Sequence, residues 1–69
     1  MRKFKIQGKC DDEGFAEYWS NEQGWVDFKD ATTFDDSEKI NFPIGTEYIA
    51  WLDEQGYILL GEEYSEDLI

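Results

Sequence analysis

Trp19-Ser20-Asn21-Glu22-Gln23-Gly24-Trp25-Val26 has a second copy in Trp51-Leu52-Asp53-Glu54-Gln55-Gly56-Tyr57-Ile58, and this duplication decides the fold. Asn21 answers to Asp53, Glu-Gln-Gly is identical in both, and Phe28 answers to Leu60. Asn/Asp-x-x-Gly between apolar runs fits a type I turn followed by a left-handed glycine. The side chain at the first position accepts from the backbone, and glycine takes a positive φ without a Cβ clash. Two β-hairpins are predicted, with tips at 21–24 and 53–56. With each glycine as a bulge, Asn21 pairs with Trp25, Ser20 with Val26, Trp19 with Asp27 and Tyr18 with Phe28. In the second hairpin Asp53 pairs with Tyr57, Leu52 with Ile58, Trp51 with Leu59 and Ala50 with Leu60.

Strand alternation sorts the first hairpin into two faces. Ala16, Tyr18, Val26 and Phe28 read as core. Phe15, Glu17, Trp19, Trp25 and Asp27 mix aromatics with carboxylates, which fits a recognition surface as well as a partly covered core. The second hairpin is apolar on both faces, as expected of central strands. Residues 2–7 alternate around Phe4 and Ile6, a half-buried strand whose lysines suit a sheet edge. Gly8 to Gly14 reads as a solvated loop; its Asp11-Asp12-Glu13 run lacks the alternating ligands of a calcium loop. Between the hairpins, Asp35 with Glu38 resembles a helix cap, and one to two helical turns fit before Pro43 ends them. Pro43-Ile44-Gly45-Thr46 is a turn. The tail from Gly61 reads as a frayed helical turn or a disordered end, with Leu68 and Ile69 apolar enough to dock. The predicted fold is one mainly β domain over 1–69, with α+β as the alternative: an antiparallel sheet of four to five strands on two hairpins with a short helix between them.

The net charge of −11 over 69 residues is unevenly placed. Arg2, Lys3, Lys5 and Lys9 open the chain, and no basic residue follows Lys39. The resulting field repels nucleic acid and attracts basic surfaces, so direct nucleic-acid binding is not expected. Cys10 is the single cysteine and histidine is absent, which leaves no intramolecular disulfide, no imidazole base and no reason to expect a metal or cofactor. Acids are abundant, but a short chain offers little cleft for a paired-carboxylate enzyme, and no enzymatic role is expected. After Met1-Arg2-Lys3-Phe4 no apolar signal core follows, and no run has the length of a membrane span; a cytoplasmic location is expected.

Tyr18-Trp-Ser-Asn-Glu-Gln-Gly-Trp-Val-Asp-Phe-Lys-Asp-Ala-Thr-Thr-Phe34, then Asp36-Ser37-Glu38 and Phe42-Pro-Ile-Gly45, resembles a group of small, mostly uncharacterised proteins of phages and mobile elements. Their pattern is Ser-Asn-x-x-Gly-Trp-Val, Ala-Thr-x-Phe and a Pro-Ile-Gly turn, covering roughly residues 18–48. The resemblance implies a small β-rich scaffold used by mobile elements and transfers no catalytic residue. Two functions follow as expectations. One is an acidic module that blocks a basic, nucleic-acid-binding surface of a host or defence protein by imitating rows of phosphates. Its contact residues would be Glu17, Trp19, Trp25, Asp27, Asp53, Glu54, Glu62 and Glu63. The other is a structural or accessory domain, or a sheet-edge oligomer, whose acidity serves solubility.

Overall fold

The computed structural model describes residues 2–64, which form an antiparallel sheet of six strands with a single 3-10 turn at Phe28–Asp30 as its helical part. The strands are β1 (Lys3–Cys10), β2 (Ala16–Ser20), β3 (Gly24–Val26), β4 (Phe34–Asp35), β5 (Tyr48–Leu52) and β6 (Ile58–Glu63). Across the sheet the order is β3-β2-β1-β5-β6, and the two-residue β4 pairs with the start of β1, at Lys3 and Phe4, on the side that β2 takes further along. The tail predicted from Gly61 as a frayed helical turn or a disordered end is instead strand through Glu63, because Gly61 to Glu63 pair with Ala50 to Tyr48; the rest of that expectation, with Leu68 and Ile69, lies outside the described residues.

β1 is central, not an edge. One side of it pairs with β5 from Lys3↔Leu52 to Gln7↔Tyr48, and the other side is shared by β4 and β2. Its alternation sends Phe4, Ile6 and Gly8 to one face, where Phe4, Ile6 and Phe34 form the buried core. Trp19, Trp25, Ile49 and Trp51 extend that core from the sheet, and Ile40 and Phe42 cover it from the 36–46 connection. Phe4 is the hub, with its ring centroid 5.1 Å from Trp51 edge-on and 5.6 Å from Phe34. The predicted helix at 35–42 does not form. Asp35 Oδ1 instead accepts from the Ser37 N–H and hydroxyl, and Glu38 N–H donates to Asp35 O, a turn that spends the cap without a helix behind it.

Lys5 shows why β1 tolerates a central place. Its side chain is buried on the face away from Phe4, where Nζ donates to Phe28 O at 2.6 Å and Ala31 O at 3.1 Å and lies 4.4 Å from the Phe28 ring centroid. A buried ammonium persists only when it is partnered. Burial pulls its pKa below the ordinary lysine value, and the nearby Asp30 charge opposes that shift. The lysine thus ties the 3-10 turn to the second face of the sheet, next to the edge-on Tyr18–Phe28 pair.

The two duplicated turns share their glycine and not their register. Gly24 and Gly56 both take positive φ, 83° and 90°. In the second turn Asp53 N–H donates to Tyr57 O, Gly56 N–H to Asp53 O, and Asp53 Oδ1 accepts from Gln55 and Tyr57 N–H. Leu52↔Ile58 is as predicted; a bulge then shifts the ladder to Trp51↔Leu60 and Ala50↔Gly61. In the first turn Ser20 Oγ accepts from Glu22 and Gln23 N–H, and the pairs are Ser20↔Gly24, Trp19↔Trp25 and Tyr18↔Val26. Asn21 N–H is diverted to Thr32 Oγ1, and Asn21 Oδ1 accepts from Trp19 Nε1, so the cap moves back one residue. The slip relative to the predicted ladder is two residues, and therefore each side chain keeps its expected partners on the same face. Which face is buried is reversed, since the core lies on the Trp19 and Trp25 side.

Asp11-Asp12-Glu13-Gly14-Phe15 repeats the Asp53 turn bond for bond. Asp11 N–H donates to Phe15 O, Gly14 N–H to Asp11 O, and Asp11 Oδ1 accepts from Glu13 and Phe15 N–H, with Gly14 at φ 89°. The acidic run read as a solvated loop is the tip of the β1–β2 hairpin. Gly24→Val and Gly56→Val are each expected to cost about 1–2 kcal/mol, the penalty of a side chain in left-handed backbone. Gly61 serves as the control, because its φ is not positive and a Cβ there would meet open space. Gly61→Val is expected to be neutral or stabilising in urea melts, and equal losses at all three positions would contradict the turn assignment.

Candidate functional site

The eight expected contact residues do not form one cluster. Glu17, Trp19, Trp25 and Asp27 sit on or beside β2 and β3, while Asp53, Glu54, Glu62 and Glu63 belong to the β5–β6 hairpin at the other edge. Four strand gaps separate β3 from β6, about 19 Å at a spacing of about 4.8 Å.

On the β3 side the carboxylates of Glu17 and Asp27 are exposed, but the two tryptophans are committed to packing. Their rings meet edge-on at 5.2 Å. The Trp25 indole lies over Gly8, where a Cβ would stand 2.8 Å from it, and against Gly45 of the Pro43–Thr46 turn, where a Cβ would stand 3.4 Å away. Gly45 has φ 103° and Thr46 Oγ1 donates to Pro43 O, so the turn that presses on the indole is itself fixed. This face is a partly covered core, in which both indoles remain half-buried.

The β6 side is different. Every residue of β6 is exposed, contrary to the expectation of a central strand buried on two faces. Tyr57, Ile58, Leu59 and Leu60 leave 67%, 44%, 69% and 52% of their surfaces in solvent, which makes a contiguous apolar run on an edge strand. Around it stand Asp53, Glu54, Glu62 and Glu63, and no lysine or arginine occurs between Ile40 and Tyr64. The charge is not uniform along the strand. At the hairpin tip Arg2 and Lys3 come across from the start of β1, and with Leu52, Asp53, Glu54 and Leu59 they bound a cleft of about 470 Å³. At the far end Glu63 pairs with Tyr48, next to Glu47, without such cations in the strand beside it. Glu62 is held on the core face, where its carboxylate accepts from Trp51 Nε1 at 2.8 Å and Arg2 stacks on the same indole at 4.1 Å.

A second cleft of about 350 Å³ opens on the core face between the sheet and the 36–42 connection, lined mainly by Phe4, Ile40, Phe42, Ile49 and Trp51. It is apolar with Asp36, Glu38 and Lys39 at its rim and brings no nucleophile or base to a common point. Among the described residues no group of three or more His, Cys, Asp or Glu is placed to hold a metal ion, and no helix is long and apolar enough to cross a membrane. Cys10 is a free, exposed thiol. No known protein family, curated protein or solved structure matches the chain.

Proposed function

We propose that the protein is a non-enzymatic, acidic interaction module that occupies and blocks a basic, nucleic-acid-binding surface of another protein. The observation that carries this reading is the β5–β6 hairpin: exposed apolar side chains from Tyr57 to Leu60 flanked by Asp53, Glu54, Glu62 and Glu63 in a stretch without a single base. Carboxylates on a rigid sheet compete with phosphates for the same Lys and Arg side chains. The apolar run supplies the desolvated contacts that hold the complex, being more exposed than the half-buried Trp19 and Trp25. If the resemblance of residues 18–48 to mobile-element proteins holds, the target is a host or defence protein and the place is the host cytoplasm.

The alternative, an accessory domain whose acidity serves solubility, draws on the spread of the remaining carboxylates: Asp11, Asp12, Glu13, Glu17 and Asp27 all lie away from β6. Charge reversal at the two edges separates the readings. Affinity capture from host lysate at low salt is expected to retain a nucleic-acid-binding protein that high salt releases. Glu62→Lys with Glu63→Lys is expected to lose it, and Glu17→Lys with Asp27→Lys to keep it, both variants melting as folded domains. Equal behaviour of the two double variants would favour solubility.

A further inference from the structure

The free edge of β6 has more to offer a partner than charge. In an antiparallel ladder the N–H and C=O of one residue point to the same side, and those of the next residue point to the other. Tyr64 N–H donates to Glu47 O, which directs the backbone groups of Glu62 and Leu60 toward β5. Those of Gly61 and Glu63 therefore point outward, and among the described residues no strand lies beyond β6 to meet them. Gly61 adds a second sign. It has neither a positive φ nor a neighbour within 4 Å of a Cβ, so nothing in the described fold demands glycine there. A glycine inside a strand often marks a bulge, a bend or a place where another backbone comes close. The β6 bulge falls between Ile58 and Leu60, and Gly61 itself pairs in register with Ala50, so the close approach is the use left to it.

We propose that β6 is a strand-addition site: an extended, basic segment of a partner protein pairs with the outward backbone groups of Gly61 and Glu63, lengthening the sheet by one strand. Its apolar side chains meet Ile58, Leu59 and Leu60, and its lysines or arginines answer Glu63 and Glu62. Main-chain pairing gives such a complex its affinity and the alternate side chains its specificity. Charge argues against a second copy as the occupant, because each chain carries −11 and β6 itself contributes carboxylates and no lysine or arginine, the nearby Arg2 and Lys3 lying at the hairpin tip. The inference rests on the acidic-module reading and adds to it the manner of contact.

The test uses a synthetic ten-residue peptide of alternating lysine and valine, and a second peptide of identical sequence with alternate backbone amides N-methylated. The methylated peptide keeps charge and apolar surface and cannot pair as a strand. The plain peptide is expected to bind the full chain at low salt at least tenfold more tightly than the methylated one. It is also expected to slow hydrogen exchange at the Gly61 and Glu63 amides, and Gly61→Pro, which removes an outward N–H, should weaken it without lowering the melting temperature. Equal binding of both peptides would overturn strand addition and leave the acidic-module reading standing. Binding of neither would count against both. If the two amides are already protected in the free chain, as an oligomer by sedimentation or as a monomer, the edge is covered and the proposal fails.

Discussion

Trp25→Ala is expected to destabilise the domain by about 3 kcal/mol, the lower end of the range for truncating a packed tryptophan because the indole is only partly buried. The indole bridges three separate pieces of chain: β3 itself, Gly8 of the central strand and Gly45 of the turn before β5. Removing it leaves a gap that two glycines cannot fill, and it detaches the 36–46 connection from the sheet it covers. The reciprocal change, Gly8→Val, pushes a branched side chain into the same ring from below, where even a Cβ falls at 2.8 Å, and is expected to be of similar size. Urea melts decide the matter. A Trp25→Ala variant within about 0.5 kcal/mol of the parent, the range of an ordinary surface substitution, would show that the indole is a surface feature after all.

Lys5→Met is expected to cost about 1–3 kcal/mol, since methionine keeps the stem's packing and leaves Phe28 O and Ala31 O without their donor. The pH dependence gives this prediction a sign. The folded pKa of Lys5 lies below the ordinary lysine value of 10.5, so between the two the unfolded chain binds more protons than the folded one. The stability advantage of the parent over Lys5→Met should therefore grow as pH rises through that window. Comparing the two proteins also removes the opposite contribution of Tyr18, whose pKa burial raises. An advantage that shrinks with rising pH would mean that the carbonyls and Asp30 stabilise the ammonium more than burial disfavours it.

Local chemistry was readable from residue order and long-range chemistry was not. Asp53-x-x-Gly56 announces its turn because the carboxylate, the positive-φ glycine and the two bonded N–H groups all lie within five residues. Asp11-x-x-Gly14 carries the same signal, with an aromatic residue after the glycine in both, and could have been read by the same rule. The register of the first hairpin depends on Thr32, eleven residues from the Asn21 N–H it captures, and no local pattern reports that bond. Lys5 reads as an edge lysine because its partners, Phe28 O and Ala31 O, are more than twenty residues away. The apolar run at Tyr57–Leu60 resembles a buried central strand, and only the strand order reveals that it lies at the sheet's edge. The same non-local fact divides the acidic residues between two edges and moves the candidate contact from the tryptophan face to β6.

Competition tests the acidic-module reading most directly. The partner recovered by salt elution is immobilised and its affinity for duplex nucleic acid is measured with and without saturating protein. Mutual exclusion is expected, with the nucleic acid displaced by the parent chain and by Glu17→Lys with Asp27→Lys, and untouched by Glu62→Lys with Glu63→Lys. A partner that binds nucleic acid and this protein together, each with unchanged affinity, would contradict it.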